Sequence, residues 1–187
     1  MIHHCQDLIT IFDTLFATEE QTVLISGGEE PLYQPQTEAE LLNKLIFTQD
    51  YYASALHEIA HWCLAGEKRR RLIDYGYWYM PDGRNESEQR LFEQVEIKPQ
   101  AIEWLFALAA GFNFHISLDN LTGNASVSEN FLTQVYNQAR HYLSSGLPMR
   151  AELFKEKLLG FYGRRAVYNE QSLTSEFGLK SPRRSMV

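Results

Sequence analysis

The first fifty residues alternate between two kinds of hydrophobic pattern. Apolar residues recur at helical spacing from Leu8 to Phe16, which predicts an amphipathic helix. The β-branched run TVLISGG at 22–28 ends in glycines, and KLIFT at 44–48 has a similar character, so each predicts a short strand. The segment EEPLYQPQ between them, 29–36, is predicted to be a loop.

The stretch ALHEIAHW at 55–62 continues the chain in a helical pattern. We expect Asp50 to cap the amino terminus of this helix. Gly66 should end it, which gives a helix of about four turns. Farther along, the aromatic run GYWYMPDGR at 76–84 predicts a strand with a tight exit turn.

A proline interrupts the next apolar pattern. A helix through RLFEQVEIK at 90–98 should break or kink near Lys98, because Pro99 lacks a backbone donor and disfavours helical geometry in the residue before it. A second helix is then predicted up to Gly111.

The last third of the chain contains one predicted strand and two predicted helices. FNFHISLDNL at 112–121 alternates like a strand, while FLTQVYNQARHYLSS at 131–145 and ELFKEKLLGFY at 152–162 have helical periodicity. Residues 164–187 lack periodicity, and we expect a flexible tail. The fold class is therefore α+β, a mainly helical single domain over 1–163 with several short strands.

The composition of the chain argues against several classes of function. The 187 residues carry a net charge of −7, which argues against direct binding to nucleic acid. Cys5 and Cys63 are too few for a disulfide framework, and the amino terminus has no secretion signal. The longest apolar stretch, 104–114, is about half the length that spans a membrane, so we expect a cytoplasmic protein.

The chemistry-bearing motif is His-Glu-x-x-His at 57–61. Residues four apart share one helix face, so His57 and His61 can present two imidazoles to one metal ion, with Glu58 beside them. The apolar flanks favour metal binding over two core histidines that bind nothing, since titratable rings need partners near a core.

A catalytic metal needs a third protein ligand, commonly a carboxylate. The candidates are the acids of the next helical segment: Glu93, Glu96, Glu88 and Glu103. Glu103 falls on a strongly apolar stretch, and Glu88 is near a helix start, where the helix dipole alone favours acids. Glu96 has apolar neighbours and sits just before the expected break, but spacing alone does not decide for it. The remaining histidines are weaker candidates for ligands: His3, His4, His115 and His141.

Two chemistries fit these residues. With zinc, Glu58 would be the general base of a peptidase. With ferrous iron, two histidines and one carboxylate leave positions open for dioxygen and a substrate, which permits oxidation. A third possibility is a non-catalytic module in which the metal only ties two helices together.

Four blocks in order resemble the bacterial elongation factor P hydroxylases, from about residue 7 to about residue 160. They are YYASALHEIAHWCLAG, DYGYWYMPDGR, VEIKPQAIEWLFALAAG and SLDNLTG. The resemblance implies an enzyme that hydroxylates the β-lysylated lysine of elongation factor P. It also implies a metallopeptidase-like arrangement of ligands, which matched by motif are His57, His61 and Glu96. We expect Fe(II) with dioxygen; 2-oxoglutarate is not assigned, because the usual H-x-D oxygenase pattern is absent from the sequence.

The role of Glu58 stays open between orienting a water, moving a proton and hydrogen-bonding a ligand histidine. Because the substrate implied is cationic, carboxylates and aromatic faces near the motif are candidate contacts: Asp74, Asp82, Asp119, Tyr75, Tyr77, Trp78 and Tyr79. A core strand explains the aromatic run at least as well. The basic run KRRR at 68–71 fits solvated charge at a helix end better than a docking patch.

Overall fold

The first helix and the first strand form as the periodicity predicts. The computed structural model describes residues 2–74, 86–117 and 129–180. Helix α1, Cys5–Phe16, buries the apolar stripe that contains Leu8, Phe12 and Phe16. Such a stripe forms where apolar residues recur every three or four positions.

A small sheet lies beside this helix. Strand β1 is Thr22–Gly28, β2 is Leu32–Gln34 and β3 is Asn43–Thr48. Their order is β1-β3-β2, with β3 parallel to β1 and antiparallel to β2. The two predicted strands are confirmed, whereas β2 lies in the predicted loop. Three residues between two prolines are too few to show an alternating pattern.

Helix α2, Tyr52–Leu64, follows β3 and carries the His-Glu-x-x-His motif. Leu56, Ile59 and Ala60 are fully buried, which fixes the orientation of the helix against the core. The prediction that Asp50 caps this helix is wrong, because Tyr51 is the N-cap residue and no side chain caps there.

Helix α3, Glu86–Ala110, runs without a break through Pro99. The predicted break near Lys98 is therefore wrong. Proline removes one backbone donor and disfavours helix, at a cost of about 3 kcal/mol. Residues 101–110 are all buried, and we attribute the continuity of the helix to their packing, which outweighs that cost.

The two later helices are confirmed: α4 is Glu129–Ser145 and α5 is Met149–Phe161. Helix α6, Glu170–Lys180, was not expected. It lies in the segment we expected to be a flexible tail, yet Leu173 is fully buried. Glu176 also accepts a hydrogen bond of 2.8 Å from the indole of Trp104.

Of two further predicted strands, the structure describes one only in part and the other not at all. The strand at 76–84 lies outside the described residues, as does the second half of the strand at 112–121. Residues 112–117 are described and form no strand. Across the described part of the chain, every helix is too short or too polar to traverse a lipid bilayer.

Candidate metal centre

Helix α2 brings two imidazoles together. His57 and His61 are one helical turn apart, and their Nε2 atoms lie 3.0 Å from each other. The rings meet nearly edge to face, at 63°. His57 is the more enclosed of the two, with 17% of its side chain exposed against 32% for His61. The pair is therefore open to solvent mainly on the His61 side.

Helix α3 supplies a carboxylate to the same point. Glu96 is 1% exposed, and its Oε1 lies 3.2 Å from His61 Nε2. Its Oε2 lies 3.7 Å from His57 Nε2. Within the described ranges, these three residues form the group whose ligand atoms all lie within 4.8 Å of one another.

The geometry fits a divalent metal ion. Ligand atoms bound at about 2.1 Å and at right angles are about 3.0 Å apart, and at tetrahedral angles about 3.4 Å. The observed separations of 3.0, 3.2 and 3.7 Å bracket these values. Two imidazoles and one carboxylate are also a donor set used for catalytic zinc and for non-haem iron.

The electrostatics favour an anionic Glu96. Burial opposes ionisation of this carboxyl, but the charges of His61 and His57 and the hydrogen bonds from His61 and Gln100 outweigh burial and lower its pKa to about 2. For His57, burial opposes protonation, but the hydrogen bond to Glu103 and the nearby carboxylates raise its pKa well above the usual value. Without an ion the carboxylates thus favour the protonated form of this histidine.

Two buried polar residues of α3 support the centre. Glu103 lies 2.8 Å from His57 Nδ1, and burial raises its pKa, an effect that the His57 hydrogen bond opposes. The Gln100 amide donates to Glu96 Oε2 at 3.3 Å. The prediction from sequence treats Glu103 only as a candidate ligand and does not include Gln100. Gln100 and Glu103 lie four and seven residues after Glu96, which places all three on one face of an apolar helix. This spacing is the feature of the sequence that could have identified them.

A cavity of about 630 Å³ opens onto the centre. His61, Glu96 and Glu58 all line it. Its other walls are mostly apolar, from Tyr33, Leu45, Trp62, Leu64, Leu91, Val95 and Pro99, with Arg69, Arg70, Asp74 and Lys98 adding charge. A long side chain in this cavity can therefore reach His61 and Glu96.

The other candidate ligands lie elsewhere. His3 Nε2 is 3.0 Å from the carbonyl of Ala110, and His115 is bound to Asn113. In the described residues, neither these histidines nor His4 and His141 join the metal-ligating group, and the same holds for Glu88 and Glu93.

The basic run after α2 is largely neutralised. Arg69 pairs with Asp74 at 2.7 Å, Arg70 with Glu20 at 2.5 Å, and Arg71 with Glu67. These pairs fit ordinary surface charge rather than a patch held open for a partner. Of the candidate substrate contacts, Asp74 lines the cavity. The others lie outside the described residues: Tyr75, Tyr77, Trp78, Tyr79, Asp82 and Asp119.

Comparison with known proteins agrees with the resemblance seen in the sequence. The family model for elongation factor P hydroxylase (EpmC) matches residues 11–172. A curated relative, the elongation factor P lysine hydroxylase of Haemophilus influenzae, is 49% identical over 162 residues, which are 87% of this chain and 91% of the relative. The match thus includes α2 and α3, on which the candidate metal ligands lie. The chain belongs to the elongation factor P hydroxylase family.

Proposed function

We propose that this protein hydroxylates the β-lysylated lysine of elongation factor P, with ferrous iron held by His57, His61 and Glu96. The observation that carries the proposal is the convergence of these three side chains, two of which, His61 and Glu96, line an open cavity. The 49% identical relative is named for lysine hydroxylation of the same factor. A translation factor as substrate implies a cytoplasmic location.

Iron is chosen over zinc because hydroxylation requires redox chemistry that zinc lacks. Ferrous iron bound by two histidines and a carboxylate supplies dioxygen activation. The protein holds these ligands from two helices packed in the core, so their positions do not depend on a loop. A zinc peptidase would use the same ligands, but family membership does not favour it.

The cavity suits a long cationic side chain. Leu64, Val95 and Pro99 give it apolar walls that can contact methylene groups, while Glu58 and Asp74 add carboxylates that can bind ammonium groups. Asp74 is paired with Arg69, so its part in binding would be shared with that guanidinium. Glu58, which lines the cavity together with His61, is the residue we assign to holding or moving a proton near the ion.

The test is an intact-mass assay on metal-stripped protein. It is reloaded with Fe²⁺ or Zn²⁺ and incubated with β-lysylated elongation factor P and a two-electron reductant such as ascorbate, in air or without oxygen. In the expected reaction one atom of dioxygen enters the substrate, and the electrons of the reductant convert the other to water. We expect the substrate to gain the mass of one oxygen atom only with Fe²⁺ and air. Gain of mass under anaerobic conditions, or peptide fragments with Zn²⁺, would contradict the proposal.

Three controls make the assay specific. Glu96→Gln should lose both metal content and turnover, because the amide is a far weaker ligand than the carboxylate. Glu93→Gln removes the same charge from the same helix outside the ligand group and should keep both. Elongation factor P without the β-lysyl group measures how far recognition depends on that extension.

A further inference from the structure

Glu103 is an acidic residue in a buried position, where an ionised carboxylate costs free energy. It is 5% exposed on α3, and its sequence neighbours Ala101, Ile102, Trp104 and Leu105 are completely buried. An ionised carboxylate is expensive to bury unless charged or donor groups compensate it. A buried acid of this kind requires a partner.

The partner is the outer nitrogen of a proposed metal ligand. Glu103 Oε2 lies 2.8 Å from His57 Nδ1, a short and charge-compatible hydrogen bond. The two nitrogens of an imidazole point away from each other, so a carboxylate at Nδ1 leaves Nε2 facing His61 and Glu96. Glu103 therefore cannot share an ion bound by His57 Nε2.

We propose that Glu103 is a positioning residue of the metal centre: by accepting the Nδ1–H of His57, it fixes that ring so that Nε2 points at the ion. This inference rests on the proposed function, since it takes His57 to be a ligand. A carboxylate behind a ligand imidazole sets the tautomer and raises the basicity of the ring.

The position of Glu103 in α3 makes the arrangement stiff. Glu96 and Glu103 are seven residues apart, two turns on one helix face, so a single rigid element carries both a ligand and the partner of another ligand. His57 is thereby fixed at both nitrogens, and its side chain is the less exposed of the two histidines. A shift of α3 would disturb two of the three ligands together.

The experiment measures metal binding rather than turnover. Metal-stripped wild type, Glu103→Ala and Glu103→Gln are titrated with Co²⁺ against a chelator, and the visible spectrum of the bound Co²⁺ is recorded. We expect affinity to fall about 10- to 100-fold for Glu103→Ala, the usual effect of removing such a partner. The affinity of Glu103→Gln should fall less, since its Oε1 still accepts a hydrogen bond. Both variants should shift the Co²⁺ absorption bands.

A purely structural role would give a different result. In that case the melting temperature of the metal-free variants would drop, while the affinity and the Co²⁺ spectrum of the folded protein would match the wild type. That result would overturn the inference. If Glu103→Ala does not fold, Glu103→Gln decides on the same two readouts.

The control and the wild type separate this inference from the proposed function. Glu93→Gln, which removes a charge from the same helix, should retain the affinity and the spectrum of the wild type. Wild type that fails to bind Co²⁺ would refute the metal centre itself. Wild type that binds, with Glu103 variants that bind equally well, would refute only the role of Glu103.

Discussion

The side-chain amide of Gln100 is bound at both ends by the backbone of Ser117. Its Nε2 donates to the Ser117 carbonyl at 2.8 Å, and its Oε1 accepts from the Ser117 N–H at 3.0 Å. The same Nε2 donates to Glu96 Oε2 at 3.3 Å. One fully buried amide thus joins the segment after α3 to a proposed metal ligand.

We predict that Gln100→Ala lowers the free energy of unfolding by about 2 kcal/mol, because the partly buried backbone groups of Ser117 lose their hydrogen bonds to a fully buried amide. Urea denaturation of the metal-free protein measures this change. The variant should also bind metal more weakly, since Glu96 loses a donor. An unfolding free energy within error of the wild type would contradict the structural role given to this amide.

Arg150 closes the carboxyl end of the helix that carries the two histidines. Its guanidinium donates to the carbonyls of Trp62 and Cys63 at 3.0 and 3.2 Å and lies 4.6 Å from the Trp62 ring. Because the last carbonyls of an α-helix lack their i+4 amide donors, Arg150→Lys should cost roughly 1–3 kcal/mol by losing the guanidinium that donates to them and lies against the Trp62 ring. Chemical denaturation measures the loss.

Arg140→Lys is the matched control for this prediction. Arg140 pairs with Glu170 on the surface, where both side chains are about half exposed. Exposed ion pairs contribute about 0–1 kcal/mol, so this variant should remain close to the wild type. Equal losses at the two arginines would show that the contact with α2 has no special importance.

The carboxyl-terminal helix should be needed for stability. Leu173 is fully buried, and Phe177 stacks on Tyr136 with the ring centroids 4.1 Å apart. Leu173→Ala should therefore lower the free energy of unfolding by about 2–4 kcal/mol.

Removal of 164–187 should destabilise the protein further, whereas removal of 181–187 alone leaves the contacts of α6 intact. Thermal melting distinguishes the two truncations, and equal melting temperatures would favour the flexible tail that the sequence suggested.

The pH dependence of the metal-free protein should have two limbs. The pKa of His57 is raised above 6.5, so its contribution to stability is fully present below pH 6.5 and is lost as pH rises through the raised value. The pKa of Glu96 is lowered from 4.5 to about 2, so its contribution is present above pH 4.5 and is lost as pH falls towards 2.

Melting temperatures recorded across pH test both limbs. A bound divalent ion takes the place of the proton on His57, so the alkaline decline should flatten in the loaded protein. His57→Gln should abolish the alkaline decline that His57 contributes. Persistence of the full decline in this variant would assign it to other groups.

The sequence predicts the elements with regular periodicity and fails where tertiary packing overrides local preference. Helices α1, α4 and α5 follow from apolar spacing, whereas α3 continues through Pro99 because its second half is buried. Strand β2 is too short to show a pattern, and α6 is held by single contacts such as Leu173 rather than by an apolar stripe.

The metal centre can be predicted from the sequence only in part. Spacing alone placed His57 and His61 on one face, and the family resemblance selected Glu96 among the acids of α3. Which acid reaches α2 depends on how two helices pack, and a linear sequence does not contain that information. Glu103 shows this limit. Its apolar sequence neighbours counted against it as a metal ligand, yet its carboxylate is buried among them because it hydrogen-bonds to His57 Nδ1.

Besides its polar contacts with Arg150 and Glu103, the helix with the two histidines is held mainly by apolar packing. Leu56 and Ile59 are completely enclosed, and the Trp62 ring meets Phe12 and Phe16 at 4.9 and 4.8 Å. In a zinc finger the chain collapses only when its ion arrives, so chelators unfold it. Here the apolar core surrounds the helix, so we expect the polypeptide to fold without the ion. Chelation should therefore inactivate the enzyme reversibly without denaturing it, and metal supply rather than folding should set how many copies are active.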